Sequence, residues 1–309
     1  MKVLVTGASG FVGQNLVPYL VERQWDVVTL DMAPAPEGLA GFEKHIKYQL
    51  GSYNGLLPKD LEGVQVVIHL ASQSHVDRSI TGPVAFIDDN VKGTLELFEL
   101  CRKLPGLDKI VHFSTDEVGA CLETGSFEEN YTFDCGSVYS ASKGAQELLV
   151  QAYIKTHNLP IITTRCVNIF GPRQAEEKFI PKVIRSALSG QVVPVYGSGM
   201  QKRQWVHVEH VCEYVTIVAS ANYIPPRTVL HITGTSEYPN ILIAHTVLSL
   251  LNAPASLIKH VEDRLGHDVR YALGRTADTD DFIDLKYREE QFLDDLRKTV
   301  GWYVEMERA

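Results

Sequence analysis

Apolar positions in the first half of the chain fall in short unbroken runs. Between the runs lie longer stretches in which apolar residues recur every three or four positions. The runs predict strands at 2–6, 25–30, 47–50, 64–71, 109–113 and 160–166, and the spaced stretches predict helices at 11–23, 83–103 and 137–156. Strand–helix–strand alternation of this kind predicts an α/β fold, a doubly wound parallel sheet with helices on both faces. Such sheets bind ligands at the carboxyl ends of their strands. The second half is less regular. It predicts helices at 178–189, 209–220, 242–251 and 289–303, broken by Gly and Pro. There is no internal repeat and no obvious linker, so the two halves are expected to share an extensive interface.

Composition narrows the classes of function. At 309 residues the chain fits one large domain or two intimately joined ones. Hydrophobic residues at 45% supply a sizeable core, and charged residues stand at 22%. The net charge of −9 argues against nucleic-acid binding, which usually shows as a basic patch. No apolar run approaches the roughly 20 residues that span a bilayer. The start, "MKVLVTGASG", does not read as a secretory signal. Cys101, Cys121, Cys135, Cys166 and Cys212 are scattered and lack CxxC spacing. The expectation is reduced thiols, no metal site and a cytoplasmic location.

The first chemistry lies at the first predicted turn. "VLVTGASGFVGQNL" sets Gly7, Gly10 and Gly13 between an apolar strand and an amphipathic helix. Glycines there let the backbone turn tightly and approach a pyrophosphate, which then sits on the helix N-terminus. A glycine triplet alone is weak; between strand and helix it is a strong dinucleotide signal. Phe11 and Val12 within the turn, and Leu70 and Ala71 at the end of the fourth predicted strand, are counted with it. The second strand ends at Asp31, placed to bind ribose hydroxyls and to repel an additional phosphate. The expected cofactor is therefore NAD rather than NADP.

Two further patterns are ambiguous by themselves. "SVYSASKGAQELL" puts Tyr139 and Lys143 four apart, on one face of a helix. A free tyrosine has a pKa near 10, and a neighbouring ammonium together with a positively charged nicotinamide favours its phenolate. Such a pair also occurs in ordinary helices, but downstream of a dinucleotide turn it reads as a proton acceptor and its helper. "HFSTDEVGAC" places Thr115, Asp116 and Glu117 where the fifth strand meets its loop. Adjacent acids repel and are costly to desolvate, so the plain reading of the pair is a solvated loop.

With these patterns in place the chain resembles the extended short-chain dehydrogenases/reductases, and within them the nucleotide-sugar 4,6-dehydratases. The resemblance rests on "TGASGFVG", "HLASQSHVDRSITGP", "STDEV", "YSASK", "NIFGP", "KFIPKVI", "RQWVHVEH", "DRLGHDVRYAL" and "LRKTVGWY", and runs over nearly the whole length. "SHVDRSI" and "STDEV" are more typical of the dehydratases than of their epimerase relatives. The resemblance implies a Rossmann-type NAD-binding domain, 1–167 with 203–236. It implies a smaller mixed α/β substrate-binding domain, 168–202 with 237–309. It also implies a nucleotide-diphosphate sugar as substrate, dTDP-glucose or UDP-glucose.

The resemblance also implies roles. Oxidation at C4 acidifies the C5 proton, and loss of the C6 hydroxyl then needs a base and an acid. By position Glu117 takes the C5 proton and Asp116 protonates the departing hydroxyl, while mutual repulsion keeps one acid protonated. Thr115 orients the C4 oxygen toward Tyr139, and Lys143 holds the nicotinamide ribose. Ser74, Asn168 and Lys178 match substrate positions, and Arg203 and Arg264 match diphosphate positions, a task suited to guanidinium groups. His75 is expected to be structural. A homodimer is implied, joined through helices 83–103 and 137–156 by apolar positions that include Phe86, Val91, Leu95 and Phe98. Two departures stand out. The family's "DEVYG" is Asp116-Glu117-Val118-Gly119-Ala120 here, and Ser52 replaces an acid that often holds adenine. A 4-epimerase or decarboxylase of the same fold, and a non-catalytic nucleotide-sugar binding protein, remain the competing readings.

Overall fold

In the computed structural model, the structure describes residues 1–35, 41–119, 122, 124–127, 132–263, 270–275 and 277–308. Seven strands form one parallel sheet: β1 (Lys2–Thr6), β2 (Asp26–Asp31), β3 (Lys44–Lys47), β4 (Val66–His69), β5 (Lys109–Thr115), β6 (Ile161–Cys166) and β11 (Val229–Ile232), in spatial order β11-β6-β5-β4-β1-β2-β3. Chain order reverses between β1 and β4, which opens a crevice at their carboxyl ends. Alternate strand residues face opposite sides. Val3 and Val5 of β1 therefore join one core, with α1 (Phe11–Glu22) and α7 (Val208–Ser220). Leu4 joins the other, with α4 (Gly93–Cys101) and α5 (Val138–His157).

The remaining elements gather beyond the carboxyl edge of the sheet. Two-stranded pairings join β7 (Asn168–Phe170) to β10 (Trp205–His207), β9 (Lys202–Arg203) to β12 (Tyr238–Pro239), and β8 (Val193–Tyr196) to β13 (Ile258–Val261). Helices α6 (Phe179–Leu188), α8 (Asn240–Leu250) and α10 (Glu289–Arg308) pack with them. Among the described residues no helix is long and apolar enough to cross a membrane, and no cluster of His, Cys, Asp or Glu is arranged to hold a metal. Cys101, Cys135, Cys166 and Cys212 are free thiols.

Three sequence expectations change. The third strand lies at Lys44–Lys47, not at 47–50, because β2 takes the polar segment "KHIK" as its edge partner. The apolar Tyr48 and Leu50 instead pack into the second core. The helix expected at 83–103 is interrupted: α3 (Pro83–Phe86) leads into a π-helical segment at Ile87–Lys92 before α4. There the buried Asn90 side chain accepts from Gln73 N at 2.6 Å and donates to Gln73 O and to Ser142 Oγ. These side-chain bonds tie the segment to the loop after β4 and to α5, and π-helical turns of this kind recur at functional sites. Finally, Phe86 and Phe98 do not form an outer stripe. Both are buried in the subunit's own interior, where Phe98 packs against His69, His112 and Tyr153. The apolar side chains left exposed on these helices are Val84, Ile87 and Leu148.

Candidate active site

The turn from β1 to α1 is built on two crowded glycines. Gly7 adopts φ 71°, a left-handed conformation that favours glycine, and its N–H donates to Leu30 O at 2.9 Å. A Cβ at Gly7 would lie 2.6 Å from Ala71 N, and one at Gly13 would lie 2.4 Å from Gly7 O. At Gly10, by contrast, a Cβ would meet only Gly7 O, at 3.2 Å, so this side of the turn opens outward. Gly10 is also the N-cap of α1 and offers no side-chain cap. Bare first-turn N–H groups at an open glycine N-cap fit a pyrophosphate. Asp31 ends β2 with its carboxylate fixed, Oδ2 accepting from Ser9 N and Oδ1 from Ala33 N, both at 2.9 Å. The residues present therefore suit a dinucleotide with free ribose hydroxyls.

A cavity of about 250 Å³ runs from this turn to the end of β5. Gly7, Gly10, Phe11, Val12, Gly13 and Leu70 line one end, and Thr115, Asp116, Glu117, Tyr139 and Lys143 line the other. A second cavity, about 330 Å³, adjoins it and reaches Arg203 and β8. Ser74, Glu117, Asn168 and Lys178 border both, so the two form one trough. Lys178 Nζ donates to Ser74 O at 2.8 Å across the wall between the sheet and α6. Arg203, nearly buried, lies over the Tyr271 ring with its guanidinium carbon 5.0 Å from the centroid. Ala71 lines neither cavity but backs the turn through its contact with Gly7. Arg264 lies outside the described residues. His75 caps α2 (Val76–Thr81), its Nδ1 accepting from Arg78 N, and its side chain borders the second cavity.

The acid pair is not a solvated loop. Asp116 is only 4% exposed, and a short 3-10 turn at Asp116–Val118 holds it. Thr115 caps that turn: Oγ1 donates to Asp116 Oδ1 at 3.1 Å and accepts from Glu117 N at 3.3 Å. Burial first, and then the neighbouring Glu117 charge, push the Asp116 carboxyl up to about 7, against the opposing pull of Arg203 and Thr115. Asp116 can thus carry a proton at neutral pH beside an acid in the same turn.

Tyr139 and Lys143 are both buried on α5. Burial and the Glu117 charge raise the Tyr139 pKa above its ordinary value, and a hydrogen bond with Thr115 opposes them. Lys143 is not what dominates the phenol. Its Nζ donates to Phe113 O at 2.7 Å, and burial lowers it to about 7 while Glu147 pulls it back up. Within the chain alone the balance of charge holds Tyr139 as the phenol.

The second cavity holds residues that sequence reasoning did not single out. Gln201, Trp205 and Asn240 line it. Among the described residues, Gln201 Oε1, Trp205 Nε1 and Asn240 Oδ1 are buried with no hydrogen-bond partner. Buried polar atoms are normally satisfied, so two acceptors and a donor left open in one cavity suit a polar ligand. A side chain's direction into a cavity leaves no mark in hydrophobic spacing, and only the "RQWVHVEH" stretch drew attention to Trp205.

Comparison with known proteins agrees with this geometry. A family model described as the NAD dependent epimerase/dehydratase family matches residues 3–231. The dTDP-glucose 4,6-dehydratase of Xanthomonas campestris pv. campestris (strain ATCC 33913) is 38% identical over 330 residues, covering 97% of this chain and 92% of that protein. The low-salt glycan biosynthesis protein Agl12 of Haloferax volcanii is 38% identical over 284 residues, covering 89% and 91%. Among solved structures, DesIV (dTDP-glucose 4,6-dehydratase) from Streptomyces venezuelae with NAD and TYD bound superposes with a TM-score of 0.91 at 34% identity, covering 99% of this chain and 97% of that one. With a dinucleotide turn, a buried Tyr–Lys helix and nearly full-length likeness to these proteins, the chain belongs to the NAD-dependent epimerase/dehydratase family.

Proposed function

We propose that the protein is an NAD-dependent nucleotide-sugar 4,6-dehydratase, a hydro-lyase that converts dTDP-glucose or UDP-glucose to the 4-keto-6-deoxy sugar. The observation that carries this reading is Asp116. It is a buried carboxyl held near pKa 7 beside Glu117, in a trough shared with Tyr139. Removal of water across C5–C6 needs an acid and a base beside the Tyr–Lys pair, whereas epimerisation at C4 needs Tyr139 and Lys143 but no such acid pair. The substrate class is supported by relatives that are dTDP-glucose 4,6-dehydratases and by a related structure in complex with UDP-glucose.

The α1 N-terminus at Gly10 would hold the pyrophosphate of the dinucleotide, and Asp31 would hold the adenosine ribose. NAD held there would supply a hydride acceptor for C4, a hydride donor for C6 and a positive nicotinamide ring that favours the Tyr139 phenolate. Lys143 holds the second ribose. Tyr139, steered by Thr115, accepts the C4 hydroxyl proton as that carbon is oxidised. Glu117 removes the C5 proton. Asp116 gives its proton to the C6 hydroxyl, which leaves as water, and Glu117 returns a proton to C5. Ser74, Asn168 and Lys178 face the sugar. Arg203, with Arg264, takes the diphosphate, and the open polar atoms of Gln201, Trp205 and Asn240 take the base end.

In this reading residues 1–167 with 203–236 carry the cofactor, and 168–202 with 237–309 carry the nucleotide sugar. The active form is a cytoplasmic homodimer that buries Val84, Ile87 and Leu148. Mass spectrometry of the protein incubated with NAD and each nucleotide sugar tests the activity. The expected product is lighter by one water. An isomer of unchanged mass would indicate a 4-epimerase, loss of carbon dioxide from a uronic acid a decarboxylase, and absence of any product a binding protein.

A further inference from the structure

We propose that Glu147 is a positioning residue for Lys143: with Arg165 and Ser114 it forms a buried charged brace that keeps Lys143 an ammonium and fixes the end of β5 against it. The proposal rests on the reading in which Lys143 serves oxidation at C4.

The brace is a set of short bonds. Glu147 follows Lys143 by four residues on α5, one turn further from Tyr139 on the same face. Arg165 approaches from β6, with Nη2 at 2.7 Å from Glu147 Oε2 and Nε at 3.1 Å from Oε1. Ser114 Oγ donates to the same Oε1 at 2.6 Å. The Arg165 and Glu147 side chains are 3% and 4% exposed. Ser114 is also the residue after Phe113, whose carbonyl accepts the Lys143 ammonium. Glu147 therefore anchors the strand end to which Lys143 is bound.

The charges around Lys143 leave it little other support. From β4 and β5, His69 and His112 feel its charge, and burial holds both uncharged. From its own helix, Tyr139 is held as the phenol. Glu147 is the carboxylate that acts on Lys143 and favours its charged form against burial. Without that carboxylate, the guanidinium of Arg165 would lose a close buried counter-charge, a destabilising change. Replacing both members by neutral groups avoids that cost, since an apolar substitute for a buried pair is often neutral for stability.

The test uses the full chain with Glu117→Gln as background, so that turnover stops after C4 oxidation and reduced-nicotinamide absorbance builds up. Its initial rate is measured against pH with saturating NAD and the nucleotide sugar that the native protein converts. In Glu147→Gln/Arg165→Met the alkaline limb, where Lys143 loses its proton, should move to lower pH by roughly one unit. The sugar KM should change little. Ser114→Ala should lower the rate a few-fold with the limb unmoved, and Glu147→Asp should restore part of the shift. A folded double variant, checked by circular dichroism, whose limb coincides with that of the background would overturn the proposal. If the background itself shows no absorbance rise, the dehydratase reading fails instead.

Discussion

Thr115 Oγ1 donates to Asp116 Oδ1 across 3.1 Å, inside a turn that buries the carboxyl. The same hydroxyl caps the turn at Glu117 N. One threonine thus ties together the two acids of the turn. A Thr115→Val change would loosen both at once.

The two acids should fail differently. Glu117→Gln should permit oxidation at C4 but abolish removal of the C5 proton, so that little solvent deuterium enters C5. Asp116→Asn should retain some C5 exchange while loss of the C6 hydroxyl slows by about 10²–10⁴-fold. Deuterium incorporation and water loss, followed by mass spectrometry in the same samples, separate the two. Near-normal dehydration in both variants would return the pair to an ordinary acidic turn.

Asp116 should also leave a signature in stability. Its folded-state pKa, about 7, lies above the ordinary aspartate value near 3.9. The fold favours the protonated form, so the stability linked to this group is fully present below about pH 4 and is lost as pH rises through about 7. The loss is on the order of a few kcal/mol. Asp116→Asn, which cannot ionise, should therefore melt a few degrees above the native protein at pH 8 and near it at pH 4. A melting difference independent of pH would contradict the buried acid.

Assembly can be tested at Leu148, which is 54% exposed on α5; Val84 at 70% and Ile87 at 42% are exposed at α3 and just after it. Light scattering at micromolar concentration should give twice the 34.4 kDa chain mass for the native protein. Leu148→Asp should give the single-chain mass, because a carboxylate at the centre of an apolar interface is costly to desolvate. A native monomer would dismiss the dimer.

What the sequence by itself determined is local in origin. Gly7, Gly10 and Gly13 follow a strand and open a helix; Asp31 ends the next strand; Tyr139 and Lys143 share a helix face. These follow from hydrophobic period and from the steric freedom of glycine, both readable within about twenty residues. The position of Asp116 and Glu117 at the end of β5 was legible in the same way. Their electrostatic state was legible only in part. The repulsion from adjacent Glu117 is local, but the burial that raises Asp116 most, and the opposing approach of Arg203 from β9, come from distant segments that no local pattern carries. Phe98 shows the same limit from the other side. Its helical spacing marks it as apolar but not which surface it faces, and packing placed it among His69, His112 and Tyr153. Arg165 and Glu147 look like separate charges along the chain. Only the packing of β6 on α5 makes them a pair, because desolvation forces two buried charges together once the fold has removed the water between them.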